Sequence, residues 1–217
     1  MQINVVVSRY HNPVEWVYRL TGVNQIFIYE KEKPDSPYNV PVNKGNEASA
    51  FLKYVIDHYD ELADYTFFTH EEEYSWHHKG SIVDLFYEAK NSGRLYYNIN
   101  ELCVLGSIMS HKWYPDVVKW YNQYIEKYIP MNLLPHRDFT VGQRGSAQFL
   151  VHRCIIRRLP KVFYEDLYNW IITTELTNDV NGRYMEWTWH LFWDVYYNPM
   201  PHLFNKQEDN VKIYIVK

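Results

Sequence analysis

Cysteine is nearly missing from this chain of 217 residues: Cys103 and Cys154 are the only two. That excludes a disulfide framework, and the pair has no metal-binding spacing, so a reducing compartment fits best. Glycine is scarce as well, with eight residues. None of them builds a G-x-G-x-x-G turn, a Walker loop or a G-x-S-x-G elbow, so serine-hydrolase chemistry has no positive support. A surplus of positive charge is absent, the formal net charge being −4. A nucleic-acid-binding protein would usually carry a basic stripe. The densest basic stretch, Arg153 to Lys161, is interrupted by Cys154, Ile155, Ile156, Leu159 and Pro160 and reads as a solvated helix face, the alternative being a phosphate patch. Long apolar runs are lacking too, which argues against a membrane span. The opening Met1-Gln2-Ile3-Asn4-Val5-Val6-Val7 lacks the basic region and long apolar stretch of a signal peptide. The expectation is a soluble cytoplasmic protein with no nucleic-acid partner.

What the chain does have is aromatic residues: 21 Tyr, 8 Trp and 10 Phe. Such rings fill cores, and they also stack on nucleobases and on the flat faces of sugars. Hydrophobic content of 47% against charged content of 22% is that of an ordered globular protein. The length suits one well-cored domain spanning 1–217. The chain ends on a strand-like segment, so it also reads as one module of a longer protein.

Hydrophobic patterning predicts alternating strands and helices. Ile3 to Val7 and Gln25 to Tyr29 read as strands, the first breaking at Ser8-Arg9-Tyr10-His11-Asn12-Pro13. Lys31 to Pro41 is a proline-rich loop. Ala48, Phe51, Leu52, Val55, Ile56 and Tyr59 recur at helical spacing, with Asn46 as N-cap candidate. Tyr65 to Thr69 is a strand, and Ser81 with Asp84 resembles a capping box opening a helix that Asn91-Ser92-Gly93 stops. Pro115 opens another helix, Pro130 to Gly145 is a long loop, and Ala147, Phe149 and Val151 alternate as in a strand. Pro160 to Ile172 and Arg183 to Tyr197 read as helices, and Val211 to Val216 as a closing strand. Alternation of this kind predicts an α/β sandwich on a mainly parallel central sheet flanked by helices.

Three segments carry candidate chemistry. The first is the run from Thr69 to His78, with Glu71, Glu72 and Glu73 beside His70, His77 and His78. Adjacent carboxylates repel unless a cation or solvent compensates. Hard divalent ions take carboxylate oxygens, and manganese accepts imidazole too. An acidic run just past a strand lies where open α/β sheets bind ligands; the alternative is an exposed charged turn screened by water. The second is Glu186, His190 and Asp194, which share one face of the late helix and either look into a site or form its solvent side. The third is Val42 to Glu47, where Lys44 and helix N-terminal amides either receive a phosphate or simply cap the helix.

Taken in order, these segments resemble a known family. Val6-Val7-Ser8-Arg9-Tyr10, Asn43-Lys44-Gly45-Asn46-Glu47-Ala48, Thr69 to His77, Gly145 to Arg153 and Glu186 to Trp193 are similar to matching segments of a family of fungal, bacterial and viral proteins. The likeness extends to the capsid-glycan glycosyltransferases of chlorella viruses. It implies a single-domain GT-A (nucleotide-diphospho-sugar transferase) fold, a UDP-sugar donor, a glycan or glycoprotein acceptor, and Mn2+ (or Mg2+). For a viral relative the setting is capsid glycosylation in the host cytoplasm, with a glucose- or rhamnose-type sugar.

In that family an Asp-x-Asp motif after a central strand bridges the metal to the diphosphate. Here Glu71, Glu72 and Glu73 stand in its place, with His70 and His190 as further metal candidates. Val7, Ser8, Arg9 and Tyr10 would hold the uridine; Asn43, Lys44, Trp76 and Gln148 would complete the donor site. If the reaction inverts, a carboxylate must take the acceptor proton, and Glu186 is the expected base with Asp84 second. The aromatic content also fits a non-catalytic carbohydrate-binding module, and the acidic run fits a metal-dependent phosphoesterase.

Overall fold

A computed structural model of the chain describes residues 1–101, 106–107, 116–133, 140–141 and 147–196. The strands are β1 (Ile3–Arg9), β2 (Gln25–Lys31), β3 (Asn39–Val40), β4 (Tyr65–His70), β5 (Tyr96–Asn98), β6 (Gly106–Ser107), β7 (Thr140–Val141) and β8 (Phe149–His152). Six of them form one sheet in the order β3-β2-β1-β4-β8-β5, while β6 and β7 pair only with each other. β1 runs parallel to β2 and β4, and β2 to β3; β8 is antiparallel to both neighbours. Five of the six strands therefore share a direction, and the protein is a mixed α/β structure.

The β-branched and aromatic runs are strands because both faces of the sheet are covered. Residues of alternating parity point to opposite layers. Val6 aligns with Phe27 and Phe68, and Phe68 with Phe149; this row packs with the larger core. Val5 aligns with Ile26 and Phe67, and Phe67 with Leu150, and this row faces the smaller core. The larger layer is built by helices α1 (Ala48–His58), α3 (Val117–Tyr124), α4 (Arg153–Ile156), α5 (Lys161–Thr173), α6 (Asn178–Glu186) and α7 (Trp189–Trp193); α2 (Ile82–Asn91) and a 3-10 turn at Glu15–Arg19 cover the other face. Most of the aromatic surplus is core. Trp193 stacks on Phe68 at 5.3 Å and on Trp189 at 4.6 Å, and meets the edge of Phe149 at 5.2 Å. Trp76, at 72% exposure, is the clear exception among the described tryptophans.

Several expected elements change. Ser8 and Arg9 finish β1 rather than opening the turn after it. The predicted helix from Arg183 to Tyr197 is two helices, α6 ending at Glu186 and α7 opening at Trp189. Between them Thr188 turns its hydroxyl onto the carbonyls of Tyr184 and Met185, a side-chain bond that competes with helix continuation. Glu186, His190 and Asp194 thus do not line one helix face, and all three are buried. Asn46 is not the N-cap of α1: it sits at φ +47°, and the Ala48 amide bonds the Gly45 carbonyl instead. Ser81 does cap α2, accepting from the Val83 amide at 3.2 Å. Cys103, His136, Arg137, Gly145, Ser146 and the Val211 to Val216 strand lie outside the described residues. Among those described, no helix is long and apolar enough to cross a membrane.

The loop before α1 is latched to α6. Lys44 donates to the carbonyls of Thr174 and Leu176, and the Gly45 amide to the side chains of Asn178 and Asn181. The fit depends on Gly182, where an added Cβ would come within 2.4 Å of Asn46 Nδ2 and 2.8 Å of its Cγ. Gly to Ala inside a helix ordinarily stabilises by about 1 kcal/mol. Here Gly182→Ala should instead cost about 1–3 kcal/mol through overpacking. Combining it with Asn46→Gly, which suits the positive φ, should restore most of the loss. Chemical denaturation checks both, and a Gly182→Ala variant more stable than the parent would contradict the latch.

Candidate functional site

From β1 the chain steps to β2 and β3 on one side, then returns to β4 on the other. At such a reversal of strand order the loops leaving the two central strands diverge and open a crevice beyond their carboxyl ends. A cleft of about 580 Å3 lies there. Its walls come from the ends of the strands (Ser8, Tyr10, Lys31, His70, Glu71, Glu72), from the loop before α1 (Asn43, Asn46, Glu47), from α6 (Asn178, Arg183, Glu186) and from the rim segment Tyr74 to His77. A larger depression of about 700 Å3 at the β2–β3 edge is walled by Ile26, Ile28, Pro34, Pro37 and Tyr38, but none of its ionisable side chains is buried. Buried ionisable side chains, Lys31, Glu71 and Glu186, line the smaller one.

The three adjacent glutamates do three different things. Glu71 Oε2 accepts the amides of Tyr10, His11 and Asn12 at 2.7, 3.0 and 2.9 Å, and Oε1 accepts Asn12 Nδ2 at 3.0 Å. Its own carbonyl accepts the Trp16 indole at 2.7 Å. This is an anion nest filled from within the chain. Glu73 points away from the cleft: it pairs with Arg19 and accepts the Ser81 hydroxyl at 2.7 Å. The Arg19 guanidinium holds its carboxyl below the usual range. Glu72 stays half open to the cleft, with Oε2 2.7 Å from His70 Nδ1 and Oε1 bonded by Asn12 Nδ2 at 3.1 Å. The His70 contact holds its carboxyl low as well.

Of the other candidates, Ser8, Tyr10, Asn43, Trp76 and Glu186 line the cleft. Trp76 stacks on His77 with ring centroids 3.9 Å apart. Val7 is fully buried in the smaller core. Arg9 is spent on Glu30 at 2.7 Å and on the Asn12 carbonyl, because β1 and β2 run in register there. Lys44 donates to the carbonyls after α5 and does not line the cleft. Gln148 is buried between Thr69 and Asn100, tying β4 to β5. Asp84 is exposed on the first turn of α2 and does not reach the cleft. His190 is buried in α7, away from the acidic run.

The metal expectation therefore narrows. Glu71 and Glu73 are otherwise engaged and His190 is in the core. Among the described residues no group of three His, Cys, Asp or Glu side chains could hold an ion. Of the expected ligands, the Glu72 carboxylate, with His70 beside it, is the one carboxylate of the acidic run left half open to the cleft. Magnesium-type ions, which keep waters and take phosphate oxygens, need no more protein carboxylates than one or two.

The deep end of the cleft went unrecognised in the sequence. Lys31, only 4% exposed, donates to Asn43 Oδ1 at 3.3 Å and to the Asn46 carbonyl. Burial pushes its ammonium down to about 8. Burial, and then the charge of Glu186, push the Glu47 carboxyl up to about 8. Glu186 is raised by burial too, against the opposing charge of Arg183, whose Nη1 donates to it at 2.9 Å. A signal did exist for Glu47: an acid set directly against the apolar stripe of α1 has to point somewhere buried. Lys31 had none, since a lysine opening a proline-rich loop looks solvated.

The division of labour predicts an order of stabilities. Charge-assisted bonds to a partly buried carboxylate contribute about 1.5–3 kcal/mol each at most and are not additive. Glu71→Ala, which strands three amides, should lose about 3 kcal/mol or more. Glu73→Ala, which breaks a contact with an exposed arginine, should lose far less. Urea titration of the two variants checks this, and equal losses would refute the clasp.

The model of a family described as "Protein of unknown function (DUF3431)" matches residues 5–90 and 108–204. No curated protein and no solved structure matches the chain. Every cleft residue named above falls inside the matched segments. The chain is a member of the DUF3431 family.

Proposed function

We propose that this protein is a glycosyltransferase of the GT-A type that binds a UDP-sugar in the cleft beyond β1 and β4 and passes the sugar to a glycan or glycoprotein hydroxyl. The observation that carries the reading is the charge of that cleft. Four carboxylates, Glu47, Glu71, Glu72 and Glu186, face two cations, Lys31 and Arg183, at the place where open α/β sheets hold nucleotides. Glu71 is neutralised by its amide nest, but Glu72, half open to the cleft, would repel a diphosphate unless a cation entered with it. A divalent ion, Mn2+ (or Mg2+), would supply Lewis acidity to the departing diphosphate.

The chain's own residues divide the remaining work. Tyr10 at the end of β1 offers a ring beside the nucleoside end of the cleft. Lys31 and Arg183 supply fixed positive charge from the opposite wall. Glu186, raised by burial and reaching the cleft, is suited to take the acceptor proton at neutral pH. Trp76 and Tyr74, 72% and 66% exposed at the rim, present faces on which a sugar ring can stack. That same rim supports a second reading, a carbohydrate-binding module without catalysis.

Calorimetry separates them. The transferase should bind UDP in the presence of Mn2+, at least about tenfold more tightly than without it, a difference of about 1.4 kcal/mol. Glu72→Ala should abolish that gain, while Glu73→Ala should keep it. A panel of UDP-sugars should then show UDP release with one of them. Absence of UDP binding with and without the ion would sink the transferase, and glycan binding alone would favour the module. Release of phosphate from generic esters would instead identify a phosphoesterase.

A further inference from the structure

The innermost part of the cleft holds two carboxylates, Glu47 and Glu186, that also border a small void shared with His70, His77, Asn100 and Ala147. Glu47 is part-buried at the cleft wall; its Oε1 is out of reach of solvent and has no hydrogen-bond partner among the described residues. The neighbouring cations do not relieve it equally. Arg183 gives its guanidinium to Glu186, whereas Lys31 spends its ammonium on Asn43 and the Asn46 carbonyl. An ionised carboxylate in that position bears a desolvation cost and lies next to a second negative charge, which Lys31 and Arg183 only partly offset. One proton held by the pair removes both costs, because the protonated member carries no charge while one carboxylate remains to face Arg183.

We propose that Glu47 and Glu186 share a single proton at neutral pH and work as one unit, in which Glu47 is the positioning residue and Glu186 the group that meets the acceptor hydroxyl. The assignment rests on the transferase reading for its use, though not for its existence. In transfer, the acceptor O–H bond breaks and its oxygen bonds the anomeric carbon. The bond from that carbon to the diphosphate breaks, and its electron pair leaves with the diphosphate. The hydroxyl proton goes to Glu186, leaving both carboxyls protonated until one proton returns to solvent. With one proton already in place, Lys31, Arg183 and a single carboxylate give the inner wall a net positive charge toward the diphosphate.

Burial raises both carboxyls and places Glu47 at about 8, with Lys31 from β2, Arg183 from α6, and His70 and His77 at and after β4 as the charged or titratable neighbours. Two interacting sites titrate in macroscopic steps that belong to the pair. The test is carbon-13 NMR of the purified protein labelled at the glutamate carboxyl, followed from about pH 4 to pH 10. In the wild type one carboxyl step should lie near pH 8 and be felt by both signals. Glu47→Gln should delete that step and leave Glu186 a single, lower one; Glu186→Gln should likewise leave one step and serves if the first variant fails to fold.

Stability gives an independent readout. Glu47 has its folded-state pKa raised from 4.5 to about 8, so its contribution is complete below the lower value and is lost as pH rises through the upper one. Glu47→Gln should flatten that fall in denaturation curves. Two carboxylates both ionised across neutral pH, with no step above about pH 6, would overturn the shared proton. The titration reads the pair whether or not sugar is transferred, so a missing UDP release would refute the transferase separately.

Discussion

One carboxylate holds the ends of the two central strands together. Glu71, the first residue after β4, gathers three successive amides of the turn leaving β1, and its carbonyl anchors the indole of Trp16 in the opposite layer. Those amides could otherwise find only water or a bound anion. By filling the nest from within, the chain sets the turn after β1 in one conformation and fixes the side of the cleft on which Ser8 and Tyr10 stand. Glu72 and Glu73 then have no choice of direction: consecutive residues leave a strand end on different sides, one into the cleft and one toward Arg19 and α2.

That arrangement explains what could and could not be read from the amino-acid order. β1, β2 and β4 were legible because covered strands demand runs such as Ile3 to Val7 and Phe67-Phe68, and α1 and α2 because each buries one stripe. The acidic run was legible as a place, since it follows a central strand. Its roles were not, because three identical side chains are distinguished only by partners distant in sequence, the Tyr10 to Asn12 amides for Glu71 and Arg19 with Ser81 for Glu73. The break between α6 and α7 was hidden for another reason. Where nearly every residue from Tyr184 to Trp193 is buried, apolar spacing fits any helical phase, and a threonine hydroxyl decides the outcome. Glu47 and Lys31 escaped because burial, which gives them their character, depends on the latch between the loop before α1 and α6.

The cleft also illustrates a conflict between stability and use. An apolar lining would cost less than burying Lys31 and Glu186 beside the part-exposed Glu47 and Arg183. Charged groups assembled at a site, against the interest of the fold, are characteristic of places where charge must be handled. The surrounding structure bears that cost through the aromatic layer of Phe51, Phe68, Phe149, Trp189 and Trp193 packed beneath the same strand ends. Rigidity there and polarity above it are two aspects of one design, in which the sheet end is dry on one side and ionised on the other.

The central claim is that the cleft beyond β1 and β4 receives a nucleoside diphosphate together with a divalent ion bound through Glu72. A crystal structure determined with UDP and Mn2+, with the anomalous signal of manganese located, tests it most directly. The account predicts a manganese peak bonded to the Glu72 carboxylate and to diphosphate oxygens, with the uracil beside Tyr10. A peak on Glu73, or UDP seated in the depression at the β2–β3 edge, would contradict it.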